Sequence, residues 1–299
     1  MSEEDPIIKA RGLSKHYGSF EALKDISFTL PPGRILGIFG ANGAGKTTLL
    51  NALLGLHSYS GELAVLGLDP YADRAKLMRD VSFISDVATL PRWMQVRDVL
   101  RYVEDVHPNF DRAKAEDRLR AQTNVKPRHR IKNLSKGMTV QLHLSIMLAI
   151  DSKLLVLDEP TIGLDILHRR SFYDALITEF FDHQRSIIIT THQMDEIDQI
   201  ISHALFIKNG EIILDAALDD LGARFKVVDV KADQQDAAAA LGPIFKQPMI
   251  GYTRFIFDGI DKTTLSPLGE IRRASVTDLF IAKMQPVEAK GELPGGYAQ

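Results

Sequence analysis

The 299-residue chain contains no cysteine. That excludes disulfides, thiol nucleophiles and zinc–thiolate sites. It also has no excess of basic charge: 36 Lys and Arg stand against 39 Asp and Glu, a formal net charge of −3. Nucleic-acid binders show a basic surplus or a basic block, so no nucleic-acid partner is expected. Long apolar runs are missing too. The longest lie around Leu142–Ile150 and Leu154–Leu157, well short of the roughly 18–20 residues that span a bilayer. The acidic start, Met1-Ser2-Glu3-Glu4-Asp5-Pro6, has no apolar centre and does not read as a secretory signal. The expectation is a chain with no membrane span of its own, so any membrane role requires another polypeptide.

What is present is ordinary for a globular protein, with 45% apolar and 25% charged residues. Ile35–Phe39, Leu154–Leu157 and Ser186–Thr190 are compact apolar runs of the kind buried on both faces of a parallel sheet. Helical patterns follow them, and the alternation predicts an α/β domain with a mainly parallel central sheet. Ile7–Leu30 reads instead as two or three strands turning at Tyr17-Gly18-Ser19, an antiparallel edge β layer. Val96–Asp105, Arg112–Gln122 and Gly137–Ile150 look helical, with Pro91, Pro108 and Pro127 as breakers. They predict a helical subdomain, about residues 88–148, inserted into a domain running over 1–222. Beyond it, Phe225–Val230 and Arg254–Asp258 read as strands, and Gln234–Leu241 and Val276–Met284 as helices. These predict a small C-terminal α+β domain over 223–285. The Gly- and Pro-rich end, 286–299, reads as disordered.

Three segments carry chemistry. Gly40-Ala41-Asn42-Gly43-Ala44-Gly45-Lys46-Thr47 fits G-x-x-x-x-G-K-[ST] and sits between the strand Ile35–Phe39 and a helix beginning near Thr48. Glycines let backbone wrap phosphate oxygens, and N–H groups at a helix start supply partial positive charge. Lys46 adds a full charge for β and γ phosphates, and the Thr47 hydroxyl is suited to Mg²⁺. The run Leu154–Leu157 ends in Asp158-Glu159. Asp158 is placed to hold Mg²⁺ through water, and Glu159, expected on the other side of the strand, to polarise an attacking water. His192 follows Ser186–Thr191, where it could reach a γ-phosphate and that water. Taken alone, Asp158-Glu159 reads as a solvated strand end and His192 as an ordinary histidine. Together with Lys46 they read as a triphosphate site.

From about Ile7 to Leu221 the sequence resembles the ATP-binding subunits of ABC transporters. The resemblance rests on motif order: Tyr17, the Walker A loop Gly40–Thr47, the signature Leu134-Ser135-Lys136-Gly137-Met138, Walker B Leu154–Asp158 with Glu159, the D-loop Gly163-Leu164-Asp165, and the switch histidine His192. It implies a P-loop NTPase fold of the ABC ATPase kind, ATP as substrate, Mg²⁺ as cofactor, and a catalytic role for Glu159 and His192. Tyr17 would stack on adenine, or else pack in the edge sheet. The loop residues and Thr48 would hold the phosphates. Ser135 and Gly137 would contact an ATP held by a partner subunit, although Ser135 also suits a plain helix N-cap. Asp165 would organise the dimer interface. The resemblance further implies a second ATPase subunit, most simply another copy of this chain. It implies an integral membrane transporter subunit too, and a position on the cytoplasmic face of the membrane.

The sequence departs from the commonest family pattern. Lys136 and Met138 replace Gly and Gln of Leu-Ser-Gly-Gly-Gln, and the Leu-Ser-Lys-Gly-Met form resembles the ABC-2-type exporter branch. Val106–Asp111 and Arg273–Phe280 resemble that branch as well. Asp86 falls near a position where the family carries a Mg²⁺-ligating Gln. It reads either as a metal ligand or as a solvated loop acid. Trp93, the single tryptophan, reads either as an anchor for the membrane partner or as packing within the helical subdomain. Two other functions share these motifs: a soluble ABC-type ATPase of repair or translation, and an ATP-dependent sensor or scaffold with little turnover.

Overall fold

The computed structural model describes residues 5–84, 90–182 and 184–284. Asp86 and the 286–299 segment lie outside the described residues. The chain forms two compact units, Met1–Ala217 and Leu218–Gln299.

In the first unit, β1 (Ile8–Tyr17) and β2 (Phe20–Leu30) form an antiparallel pair turning at Gly18-Ser19. The β3 strand (Ile35–Phe39) is buried along its whole length. It leads through a glycine-rich loop into α1 (Lys46–Leu53). Next, β4 (Ser60–Val65) returns beside β1, so the edge layer is three-stranded in the order β2-β1-β4. A short helix α2 (Arg74–Leu77) precedes β5 (Val81–Ile84).

Between β5 and β6 (Leu154–Asp158) the chain is helical: α3 (Val96–Val106), α4 (Arg112–Gln122) and α5 (Lys136–Leu148). Their shared core includes Val96, Val99, Leu100, Leu119 and Leu142. Two of the helix starts are fixed by side chains that satisfy orphan amides. Asp111 accepts from Lys114 N–H at 3.0 Å, and Ser135 accepts from Met138 N–H at 3.1 Å.

After β6 come α6 (Ile166–Ala175), which runs into a π-helical turn Leu176–Phe180, and β7 (Ser186–Thr190). The short α7 (Met194–Ile197) is followed by β8 (His203–Lys208) and β9 (Glu211–Ala217). The central sheet is ordered β5-β6-β7-β3-β8-β9, and all pairs are parallel except β8–β9. Crossovers on both sides of β3 explain why β3, β6 and β7 are nearly continuous apolar runs. The order reverses at β3, which places the loop after it at a topological switch point, where open α/β sheets bind ligands.

The second unit opens with α8 (Leu218–Arg224) and β10 (Phe225–Val230). Then follow α9 (Gln235–Ala240), β11 (Phe245–Met249), β12 (Tyr252–Asp258), α10 (Lys262–Leu265), β13 (Gly269–Arg273) and α11 (Val276–Met284). Its antiparallel sheet has the order β11-β12-β10-β13. Val228, Val230, Phe255 and Phe257 anchor its core with Leu265 and Leu268. No helix among the described residues is long and apolar enough to cross a membrane.

Trp93 does not pack inside the helical subdomain. It sits in the turn before α3 and is 75% exposed.

Candidate nucleotide site

The loop 40–45 needs glycine for two separate reasons. At Gly40 a Cβ would stand 2.5 Å from the Ile207 carbonyl oxygen, so only glycine lets the loop pass β8. At Gly45 the backbone is left-handed, with φ 114°, and a Cβ would meet the Ala22 carbonyl at 2.9 Å. Gly210 N–H donates to Ala44 O at 3.0 Å, and Lys24 N–H donates to Gly210 O at 2.8 Å. The loop is thereby held against β2 and the β8–β9 turn. The first amides of α1 have no intrahelical acceptor, which makes this end of the helix attractive to anions. The Lys46 ammonium donates to Gly40 O at 2.8 Å and Ala41 O at 3.3 Å. Lys46 is buried, and the loop carbonyls compensate its charge.

Asn42, Gly43, Lys46, Thr47, Asp158 and Glu159 line one open cavity of about 340 Å³, with Tyr17 and Phe20 also on its wall. Asp158 ends β6, and its carboxylate is oriented from both sides. Thr190 Oγ1, at the end of the neighbouring β7, donates to Oδ1 at 2.5 Å, and Thr47 Oγ1 donates to Oδ2 at 3.4 Å. A hydroxyl and a carboxylate side by side form a hard-oxygen donor set that suits Mg²⁺.

Glu159 corrects the expectation that it would face away from Asp158. It lies beyond the strand in a left-handed conformation, φ 50°, and lines the same cavity as Asp158. That conformation costs a non-glycine residue roughly 1–2 kcal/mol. The Glu159 N–H donates to Thr190 O at 3.0 Å and to Thr190 Oγ1 at 3.2 Å. This one amide hydrogen is shared between the two acceptors, and a three-centre bond of about 1 kcal/mol net offsets part of the strain. The turned carboxylate meets His192, whose Nδ1 is 2.9 Å from Glu159 Oε2. Further back, Thr161 Oγ1 lies 3.2 Å from Tyr173 Oη. Burial pushes the Tyr173 hydroxyl up to about 12, so it stays protonated beside the site.

Tyr17 is 45% exposed at the end of β1. His57 meets its ring edge-on at 5.9 Å, and the Lys15 ammonium lies 5.2 Å from the ring centroid. Phe20, across the β1–β2 turn, is a second exposed aromatic on the cavity wall. Its only signal in the sequence is its place directly after the Gly18-Ser19 turn. Thr190 is not legible from the sequence, because a threonine at a strand end carries no motif of its own.

The signature segment lies elsewhere. Leu134, Lys136 and Thr139 line a different cavity, of about 430 Å³, together with Ile162 and Leu164. Ser135 Oγ is engaged as the N-cap of α5. Asp165 caps α6, accepting from Leu167 and His168 N–H, and its second oxygen is 2.7 Å from His168 Nδ1. These bonds, led by the His168 amide, hold the Asp165 carboxyl below its usual range. His168 in turn stands over Gly137, where a Cβ would be 2.9 Å from Nε2.

A phosphate loop at the switch point of a parallel sheet, facing paired carboxylates and a histidine, defines a nucleoside-triphosphate-binding domain. The family described as ABC transporter matches residues 23–162. The manganese transport system ATP-binding protein MntB of Halalkalibacterium halodurans is 30% identical over 220 residues, 70% of this chain and 85% of that one. The Nod factor export ATP-binding protein I of Sinorhizobium fredii is 30% identical over 275 residues, 86% and 77% of the two chains. A solved ATP-binding subunit of an ABC transporter shares the fold, with a TM-score of 0.65 at 22% identity over 73% of this chain and 92% of that one. The chain belongs to the ATP-binding proteins of ABC transporters. It is an ATPase whose hydrolysis is coupled to transport.

Proposed function

We propose that this subunit works as a homodimer that binds two ATP molecules between its copies and powers a separate integral membrane subunit of an ABC-2-type exporter. The observation that carries the dimer is the separation of the motifs. Lys46, Thr47, Asp158 and Glu159 share one cavity, while the signature segment lines another. A second copy could bring its Ser135 and Gly137 to the exposed phosphates of the first. Ile166 and Leu167, 73% and 77% exposed beside Asp165, are apolar groups suited to burial in such a contact.

Within each site the loop amides and Lys46 bind the phosphates, and Tyr17 or Phe20 offers a ring face to the base. Thr47 and Asp158 hold Mg²⁺, which neutralises charge on the phosphate oxygens when bound. Glu159 accepts the proton of the attacking water as general base, and His192 positions that carboxylate and reaches toward the γ-phosphate. Asp86 is a further candidate for the metal. The exporter assignment is supported by the Leu134-Ser135-Lys136-Gly137-Met138 form of the signature and by the likeness to a protein named for Nod factor export. The subunit is then peripheral, on the cytoplasmic face, and exposed Trp93 is a candidate contact for the membrane subunit.

The test is ATP turnover by the purified chain beside Glu159→Gln, with mass measured in ATP and Mg²⁺. The reading expects turnover in the parent and an ATP-bound dimer stalled in the variant. A variant that turns over like the parent removes Glu159 from the chemistry. A variant that binds ATP yet stays monomeric removes the sandwich.

A further inference from the structure

The C-terminal unit carries a cavity that the nucleotide site does not use. It has a volume of about 380 Å³ and lies where the end of α8, the start of β10, the β12–α10 turn and the end of β13 meet. Four cationic side chains line it: Arg224, Lys226, Lys262 and Arg273. One carboxylate, Asp261, shares the wall.

The basic residues of this unit fall into two sets. Arg224, Arg254 and Arg272 each take a two-pronged carboxylate partner, Asp258, Asp229 and Asp278 respectively. That geometry neutralises the guanidinium within the fold. Lys226, Lys262 and Arg273 have no carboxylate within salt-bridge distance among the described residues. These three face the cavity.

Lys226 is the unusual member. It alternates with Val228 and Val230 on β10, so it lies on the face that carries the apolar core, and it is only 6% exposed. Lysine is almost never fully buried without a partner. Its ammonium donates to the carbonyls of Gly222 (2.7 Å) and Ala223, closing the end of α8. Helix capping accounts for those bonds, since cations favour the last carbonyls. Capping does not account for Arg273, which pairs with Lys226 directly across the β10–β13 ladder. Like charges directly opposite on adjacent strands destabilise a sheet. Burial, and then the Lys262 and Arg273 charges, push the Lys226 ammonium below its usual range. The fold therefore holds three cations that lack a salt-bridge partner among the described residues, with one carboxylate, Asp261, around a cavity of about 380 Å³ with room for more than one phosphate-sized group.

We propose that this cavity is a binding site for a multiply charged oxyanion of the phosphate class, held by Lys226 at its floor and by Lys262 and Arg273 at its rim. Such an anion supplies the negative charge that no carboxylate among the described residues brings within salt-bridge distance of these three side chains. A free phosphorylated small molecule and an anionic lipid headgroup present the same chemistry, and the experiment separates them.

The full chain is used with Lys46→Ala, which disarms the phosphate loop and leaves the C-terminal unit untouched. Pyrophosphate binding is measured by calorimetry without Mg²⁺, and cosedimentation is measured with vesicles of phosphatidylcholine alone or with phosphatidylglycerol. Lys262 and Arg273 are exposed, so Lys262→Gln/Arg273→Gln removes the rim without touching the buried lysine. Binding of pyrophosphate by the Lys46→Ala chain, weakened tenfold or more by the rim changes, is the expected result for a free ligand, since charge-assisted bonds to phosphate oxygens are the strong ones. Sedimentation with phosphatidylglycerol vesicles alone, lost with the rim changes, identifies a lipid headgroup. No binding to either probe, or binding that the rim changes leave intact, overturns the proposal.

Discussion

His192 Nδ1 stands 2.9 Å from Glu159 Oε2, joining the second residue after β7 to the first residue after β6. The carboxylate reaches this position because Glu159 takes a left-handed backbone turn that Thr190 supports from the adjacent strand end. If the pair acts as a unit, its losses should not add. Glu159→Gln is expected to lower ATP turnover by about 10²–10⁴-fold, the range for a positioned general base. His192→Ala should also lower turnover, and the double variant should be little worse than Glu159→Gln. Additive losses in steady-state turnover would show that the two residues act separately.

Lys46 donates to two carbonyls of its own loop, so the ammonium is already in place when phosphate arrives. Replacing it with alanine should weaken ATP binding by at least tenfold, since a hydrogen bond to a charged group contributes about 1.5–3 kcal/mol. Fluorescent-nucleotide titration measures this directly. Affinity unchanged from the parent would place the triphosphate elsewhere.

Much of this site was legible in the sequence because its parts are local. Gly40–Thr47 is a contiguous motif whose strand and helix flank it in the chain, and Asp158-Glu159 closes an apolar run. The illegible parts depend on pairings between distant segments. Thr190 earns its place only when β7 lies beside β6, and β4 joins the edge layer only after the chain has crossed the first helix. Glu159 was expected on the far side of its strand because period-two alternation assumes that the strand continues. The left-handed turn at Glu159 ends that alternation. Trp93 reads from sequence as either an anchor or a packed residue, because a lone tryptophan between helical segments carries no sign of its orientation; its turn leaves it in solvent.

The contact between His168 and Gly137 joins the residues after the D-loop to the signature helix of the same chain. Gly137→Ala would place a methyl group 2.9 Å from His168 Nε2, and the ring is tethered by Asp165 at 2.7 Å. Overpacking costs roughly 1–3 kcal/mol in a core, and alanine within α5 regains about 0.5–1 kcal/mol over glycine, so a net loss of about 1 kcal/mol is expected against this half-exposed ring. Urea midpoints should show that loss for Gly137→Ala, and much of it should return in Gly137→Ala/His168→Ala. An equal loss with and without the imidazole would mean that His168 is not what opposes the methyl group.

Thr190 is fully buried and serves both carboxylate-bearing residues, donating to Asp158 and accepting from Glu159 N–H. Thr190→Val keeps the shape and β-branching but removes the hydroxyl. It should cost about 1–3 kcal/mol of stability, the range for leaving buried polar partners unsatisfied. It should also lower turnover, because both acids lose an orienting bond. Unchanged urea midpoints and unchanged turnover together would show that the hydroxyl orients neither acid.

His107 closes α3 and receives the Asn109 N–H on Nδ1 at 3.3 Å. Burial is the larger influence on its ring and pushes it below its ordinary value of 6.5, partly opposed by the nearby Met78 backbone. In the window below 6.5 the unfolded chain therefore holds a proton at His107 that the folded chain does not. Stability rises with pH wherever the unfolded state binds more protons. The neutral ring thus contributes fully above the unfolded pKa, and its contribution is lost as pH falls from about 6.5 toward the depressed folded value. The depressed carboxyls of Asp69, Asp165, Asp258 and Asp278 titrate below their ordinary value of 3.8, so they do not enter this window. Urea unfolding at pH 7.5 and pH 5.5 should show a smaller loss of stability for His107→Gln than for the parent. Equal losses in the two proteins would mean that the acid sensitivity in this range comes from other groups.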